Sequence, residues 1–467
     1  MSKFSKRVDM NKVANRVCII GAGSSGIAAC KVLKESGIPF DCYEAGDRIG
    51  GNWVYQNSNK TSSIYKSLHI NSSKKLMQYS DFPMPENYPN FPHHSQVAQY
   101  FENYATHFDL KPHIRFKTEV IAAEPLPDEG WKIVLNNKTT CNYRALIVSN
   151  GHHWKPRFPK PSFPGHFNGS ITHSHYYKTP DECVDQNVLV VGFGNSAMDI
   201  SCELSNIAKN VFLSVRRGFF VTPKHVLGKP LDQASIPRIF PLSLKLKIQE
   251  MAVRLQVGNL EQFGLPKPNH KYMHAHPTIS SKIIPCLTHG LVKPKPNIQK
   301  LEGDRVLFVD ETREQIDRII YCTGYDIDFP FFKPELIKVK DNKFPLFKQI
   351  FHPQYQNLFF IGLIQPIGPV MPLAELQSKL VSHYLKGEYI LPSATKIQKE
   401  MAKSTNRRQK RYGKAARHTI QVDFDPYTKE LKQELKAGKM RRKKRQLSHI
   451  DKASDLENSF KISSYTK

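Results

Sequence analysis

Two clusters of small residues in this 467-residue chain have the spacing of phosphate cradles. Gly21, Gly23 and Gly26 spell GxGxxG directly after the apolar run Val17, Cys18, Ile19 and Ile20. In such a turn the first glycine permits the tight bend from strand to helix, the second lets the backbone approach a pyrophosphate, and the third lets helix and strand pack closely. The phosphate then meets free N–H groups at the helix start. Glu44 follows Gly26 by eighteen residues, at the end of a short strand-like stretch. A carboxylate there accepts hydrogen bonds from ribose hydroxyls and repels a 2′-phosphate, so this turn suits FAD or NAD. Gly192, Gly194 and Ala197 repeat the pattern, alanine being an accepted variant of the third position. Here the next strand leads into Arg216 and Arg217, with no carboxylate. Two guanidinium groups suit the 2′-phosphate of NADPH, held by charge-assisted hydrogen bonds. One site for a non-phosphorylated dinucleotide and one for NADPH imply hydride transfer between two cofactors. A flavin, which must stay bound while NADPH arrives, is the natural occupant of the first.

Each turn needs a buried parallel strand before it and a helix after it. The runs that precede the glycines are short and rich in Val and Ile, as such strands require. Further strands are predicted at 41–44, 115–121, 131–135, 145–149, 211–215, 305–309, 318–322 and 358–361. Helices are predicted at 25–36, 95–107, 196–205 and 373–385, and proline-dense joints lie at 155–164 and 330–334. The pattern predicts an α/β fold of two Rossmann-like dinucleotide-binding domains, the NADPH domain inserted into the FAD domain. The expected boundaries are 1–155 for the first part of the FAD domain and 156–325 for the NADPH domain. The second part of the FAD domain, with C-terminal helices, is expected at 326–438, and a basic tail that need not be ordered at 439–467. Within 219–290, Pro and Lys without clear periodicity predict an insertion over the NADPH domain.

Composition narrows the class. Hydrophobic residues make up 40% of the chain, enough for a large core, so a disordered chain is excluded. No apolar run of about 18 residues predicts a spanning helix, and the polar first twelve residues lack the core of a secretory signal. Eight scattered cysteines with no CxxC pair argue against a zinc knuckle or redox dithiol and for a reducing, cytoplasmic setting. The net charge is +27, and from Lys396 onward 21 Lys and Arg face only 8 Asp and Glu. The run 440–445 is read as a solvated tail, with contact to anionic lipid or nucleic acid as the alternative. Binding polyanionic cofactors explains a basic chain without a nucleic-acid partner.

Phe167, Gly169, His173 and Tyr177, between the two turns, form a stretch similar to the fingerprint FxGxxxHxxx(Y/F) of the flavin-containing monooxygenases. Baeyer–Villiger monooxygenases carry a similar stretch that usually ends in Trp, so Tyr177 favours oxygenation of nitrogen or sulfur. Other segments resemble the family in its own order. They are Glu44 with Gly50, Gly51, Asn52 and Trp53, then Ser67 to Asn71, then Asp81, Phe82 and Pro83. Cys322, Thr323, Gly324 and Tyr325 follow, then Gly362 with Gln365, Glu375 with Gln377, and a late segment with Arg417, His418, Asp423 and Tyr427. The resemblance covers about 15–430. Family members from animal membranes often end in an apolar anchor, whereas this chain ends polar.

The resemblance implies a class B flavoprotein monooxygenase that uses FAD, NADPH and dioxygen. NADPH would reduce the flavin, and a flavin hydroperoxide would pass its distal oxygen to a small nucleophilic nitrogen or sulfur compound. Water exclusion would be the protein's main task. The flavin residues would be Gly21, Gly23, Ser25, Gly26, Glu44, Gly51, Asn52, Trp53, Val120 and Gln365. The NADPH residues would be Gly192, Gly194, Asn195, Ser196, Ala197, Arg216, Arg217 and Thr323. Asn71 is the expected catalytic residue, because a neutral amide can hydrogen-bond at the reactive flavin edge without donating a stray proton. His173 is read as structural. His93 with His94 and His152 with His153 are read as loop residues whose neighbours point apart, and no metal is predicted. A Baeyer–Villiger enzyme acting on ketones and an NADPH oxidase releasing hydrogen peroxide stay open as alternatives, as does a homodimer.

Overall fold

A computed structural model describes residues 14–233, 240–413 and 418–463. Two sheets organise it. The first has seven strands, ordered Ile114–Arg115, Phe40–Tyr43, Ala14–Ile20, Thr140–Val148, Trp131–Leu135 and Val120–Pro125, with Leu358–Phe360 also paired to Thr140–Val148. Phe40–Tyr43, Ala14–Ile20, Thr140–Val148 and Leu358–Phe360 run parallel. Their inner residues are covered on both faces, and Val17, Cys18, Ile19, Leu146 and Phe359 are fully or almost fully buried. This explains the unbroken apolar runs in the sequence.

The second sheet has five parallel strands, ordered Val292–Lys295, Asn210–Ser214, Asn187–Val191, Arg318–Tyr321 and Ser170–His173. All five lie in the chain between Thr140–Val148 and Leu358–Phe360 of the first sheet. One nucleotide-type unit is therefore inserted into another. The two crossings between units run side by side: Lys155–Pro156 pairs antiparallel with Tyr325–Asp326. Arg157 and Lys155 reinforce the crossing with ion pairs to Asp326 and Asp328, each at 2.6 Å.

Three expectations are corrected. The strand expected at 115–121 is two strands, Ile114–Arg115 and Val120–Pro125. Lys117 turns the chain between them at φ +52°. Its N–H donates to Gly46 O and that of Thr118 to Glu44 O, wrapping this loop around the acidic turn. The stretch 219–290 is not aperiodic, since it contains the helices Leu242–Val257 and Ile283–Thr288. Leu242–Val257 carries apolar residues on two faces, which blurs its period. Val253 and Val257 are buried, while Leu244, Ile248, Met251 and Leu255 form an exposed stripe. The basic run 440–445 belongs to the helix Phe424–Ser463. Tyr427 and Leu431 bury one side of that helix, and Arg441 donates to Ile390 O at 2.8 Å. Packing at its first turns thus carries the helix through the repelling lysines. C-terminal helices are expected within 326–438 without bounds, and Ala394–Tyr412 lies there; Arg417 lies outside the described residues.

The return strand is clamped by one amide. Asn357 Nδ2 donates to Arg144 O at 3.0 Å, and its Oδ1 accepts from the Trp131 indole at 3.0 Å. We expect Asn357→Ala to cost about 1–3 kcal/mol, because it orphans a buried indole N–H. A lowered denaturation midpoint at unchanged FAD stoichiometry would show it.

Candidate functional site

The first glycine turn is closed by contacts that admit no side chain. Gly21 lies at φ +96°, and a methyl carbon there would meet Ser149 O at 2.7 Å. At Gly26 it would stand 1.8 Å from Gly21 O. The buried Glu44 carboxylate accepts from the Ala22 and Gly46 N–H groups, both at 2.7 Å. Burial pushes its pKa above the ordinary range, and those two backbone bonds oppose the rise. Two distant segments converge on the turn. Gly51, at φ +54°, lies against Gly23, and Gly362, at φ +79°, lies against Ser25. The Gly362 N–H donates to Gln377 Oε1 at 2.8 Å. Val120 is different: its side chain is packed in the core beneath this region.

The second turn repeats the geometry with one change. Gly192, at φ +135°, allows no methyl because Cys322 O would be 2.6 Å away. Gly194 has nothing within 4 Å of its would-be methyl position, so this backbone faces open space. Asn195 Oδ1 accepts from the Ile279 N–H at 2.8 Å, and Ala197 is fully buried under the helix. Arg216 and Arg217 are exposed, and neither has an ion pair among the described residues. Although its side chain reaches solvent, partial enclosure by the cleft wall, then repulsion from Arg217, lowers the Arg216 pKa. The Thr323 hydroxyl is hydrogen-bonded to Arg157 O at the crossing between units.

A cleft of about 1280 Å³ separates the units. Asn52, Trp53, Asn71 and Gln365 line one side. Gly192, Gly194, Asn195, Ser196, Arg216, Arg217 and Thr323 line the other. Asn71 Oδ1 is buried in this wall and has no hydrogen-bond partner among the described residues. The inserted segment braces the Asn71 loop: Lys224 Nζ donates to Ile70 O at 2.9 Å, and Asp232 accepts from the Ser73 N–H at 2.6 Å. Gly21, Gly23, Ser25, Gly26, Glu44, Val120 and Ala197 do not reach the cleft.

A family model described as flavin-binding monooxygenase-like matches residues 14–441. The chain belongs to this family. Human flavin-containing monooxygenase 5 is 38% identical over 437 residues, covering 89% of this chain and 82% of the relative. Human flavin-containing monooxygenase 2 is 36% identical over 447 residues, covering 91% and 83%. Among solved structures, the S-allyl-L-cysteine S-oxygenase from Allium sativum superimposes with a TM-score of 0.68 at 25% identity, covering 90% of this chain and 88% of that one.

In this flavin-binding monooxygenase-like chain the fingerprint residues stand outside the cleft and hold the inserted unit. At Gly169 a methyl would meet Asp317 O at 2.3 Å, so the glycine lets Ser170–His173 join the second sheet beside Arg318–Tyr321. Phe167 packs against the neighbouring core. His173 is fully buried between Phe158 and Tyr325, with ring centroids at 5.5 and 5.3 Å, and burial lowers its pKa to about 4. The imidazole is neutral at pH 7 and accepts from the His175 N–H at 3.1 Å. The Tyr177 hydroxyl donates to Glu203 at 2.9 Å.

The histidine pairs do not point apart. The rings of His93 and His94 have centroids 4.0 Å apart, and those of His152 and His153 4.3 Å. His94 opens the helix His94–His107 with His93 as its cap, and His152 and His153 lie in a bend, so the alternation of a regular element does not set their directions. Among the described residues no group of three or more His, Cys, Asp or Glu is arranged to hold a metal. Sequence reasoning missed Ser63, Tyr65 and Arg157 in the cleft wall. Their placement comes from tertiary packing, and no local motif marks them.

The contrast between glycines gives a test. Gly194→Ala adds a methyl in open space, so we expect an unchanged melting temperature; if this turn holds the pyrophosphate as the motif predicts, the methyl would make NADP⁺ affinity about tenfold weaker or worse. Calorimetric titration against NADP⁺ checks it.

Proposed function

We propose that this monooxygenase binds FAD at the first turn and NADPH at the second, and oxygenates a small nucleophilic nitrogen or sulfur compound. The observation that carries the reading is the shared cleft. Residues of both units face each other across it, and its wall holds an amide oxygen with no partner among the described residues. The residues fit both groups: at the first turn Gly21 and Gly26 bring strand and helix together beside the buried Glu44 carboxylate, and at the second the open backbone at Gly194 is a cradle that a side chain would fill, beside two guanidinium groups with no ion pair among the described residues.

We assign the FAD unit to 1–155 and 326–438 and the NADPH unit to 156–325, with the basic run 440–445 continuing the helix Phe424–Ser463 of the FAD unit. Glu44 takes the adenosine ribose of FAD with the acceptor positions its two backbone bonds leave over. The N–H groups at the start of Asn195–Leu204 take the NADPH pyrophosphate, and Arg216 and Arg217 clamp the 2′-phosphate. Bound together, the reduced flavin and dioxygen supply the oxygen atom that is transferred. Asn71 orients the reacting groups through its free carbonyl oxygen, and its amide releases no proton there. The segment bearing Lys224 and Asp232 holds the Asn71 loop closed against water.

Two outcomes test this. Arg216→Ala should raise the NADPH Michaelis constant by about tenfold or more and leave that for NADH nearly unchanged, as loss of a charge-assisted bond predicts. Steady-state kinetics with both donors decides it, and an unaltered preference in Arg216→Ala and Arg217→Ala removes the clamp. Incubation with NADPH and a set of amines and sulfides should yield N-oxides or sulfoxides by mass spectrometry. Asn71→Asp should keep its FAD and lose that product. Lactone from a cyclic ketone with no sulfoxide, or peroxide as the sole product, would contradict the reading.

A further inference from the structure

We propose that Tyr65 and Tyr177 are positioning residues: through Asp199 and Glu203 they fix the NADPH-side helix Asn195–Leu204 against the flavin-side loop. Asp199 and Glu203 are four residues apart and lie on one face of that helix. The Tyr65 hydroxyl donates to Asp199 Oδ2 at 2.6 Å, and the Tyr177 hydroxyl donates to Glu203 Oε2 at 2.9 Å. The two rings meet edge to face with centroids 6.1 Å apart, and both tyrosines are at most 5% exposed.

The loop bearing Tyr65 is tied to the flavin side. Asn52 Oδ1 accepts from the N–H and the hydroxyl of Ser63, at 2.8 and 2.9 Å. Asn52 O accepts from the Ser62 hydroxyl at 2.7 Å. Lys178, next to Tyr177, donates from Nζ to Ser62 O at 2.8 Å and to Ile64 O at 3.2 Å. Its own carbonyl accepts from the Lys66 N–H at 2.8 Å. Residues 62–66 and 177–178 therefore act as one body, and that body grips the helix by two carboxylates. The helix begins beside Gly194, whose backbone opens into the cleft.

A phenyl ring would fill the same space, so packing alone does not call for the hydroxyls. Two directional bonds one turn apart fix both the tilt and the rotation of the helix. Tilt at its start moves the nicotinamide end of bound NADPH relative to the flavin, and a misplacement of about 1 Å can slow a reaction by roughly a hundredfold. Tyr177 is also the last residue of the fingerprint, so this role gives that position a physical reason. The inference rests on the proposed function, because it concerns where NADPH is held.

The near-isosteric variants Tyr65→Phe and Asp199→Asn test it, singly and together. Four quantities are read in the FAD-bound protein: flavin content, NADP⁺ affinity by calorimetry, hydrogen exchange in 195–204 without NADP⁺, and flavin reduction by NADPH in a stopped-flow instrument. We expect full flavin content and NADP⁺ affinity within about threefold of the wild type. Helix exchange should be faster in both single variants, and reduction at saturating NADPH about tenfold slower or worse. The double variant should be no slower than the slower single variant, as one shared bond requires. Wild-type exchange and reduction rates in both singles would overturn the proposal, as would losses that multiply in the double variant. If NADPH fails to reduce the wild-type flavin, the functional reading falls, and the exchange measurement still decides whether the two bonds hold the helix.

Discussion

At Gly26 a methyl carbon would stand 1.8 Å from Gly21 O, and at Gly192 one would stand 2.6 Å from Cys322 O. Backbone contact that close lets a buried parallel strand run straight into a helix. The first N–H groups of the helix have no partner within it and stay available to an anion. Much of the site follows from meeting this requirement twice in one chain. The strands Ala14–Ile20 and Asn187–Val191 each lie inside a parallel sheet. The turns at their ends are held by distant segments: Gly51 and Gly362 at the first, Cys322 at the second. Insertion of one unit into the other then sets a cleft between them, with both crossings joined as a single antiparallel pair.

Electrostatics separates two turns that share a backbone. At the first, a buried carboxylate is engaged by two backbone N–H groups and closes the loop on itself. At the second, two guanidinium groups stand exposed at the cleft rim. Much of the net charge lies elsewhere, in C-terminal helices that pack by one side and leave their lysines in solvent. A strongly basic sequence is thus compatible with a site whose selectivity rests on a few charges. The inserted segment serves the site by bracing the loop of Asn71 through Lys224 and Asp232.

The features legible in the sequence were those set by local backbone demands. Gly21, Gly26 and Gly192 occupy positions where any other residue collides, and the apolar strands before them are buried on both faces, so type and spacing suffice to find them. Arg216 and Arg217 follow the strand Asn210–Ser214, so their place at the cleft wall follows from the strand's place in the unit. Tyr65 and Asp199 were not legible, because they are 134 residues apart and meet only after one unit folds against the other. The helix Leu242–Val257 escaped because exposed and buried apolar residues share it, and the chain through 440–445 because lysine-rich composition hides a helix anchored upstream at Tyr427 and Leu431. Val120, expected beside the flavin, follows the loop that wraps the acidic turn and packs its side chain in the core.

The central claim is that two nucleotides meet across one cleft, so the most direct measurement is an anaerobic titration of the purified protein with NADPH, followed by its visible absorbance. The account predicts a preparation that carries a flavin spectrum and loses it stoichiometrically as NADPH is added, while NADH does so far more slowly. A colourless protein that takes up no FAD, or a flavin whose spectrum NADPH leaves unchanged, would contradict it.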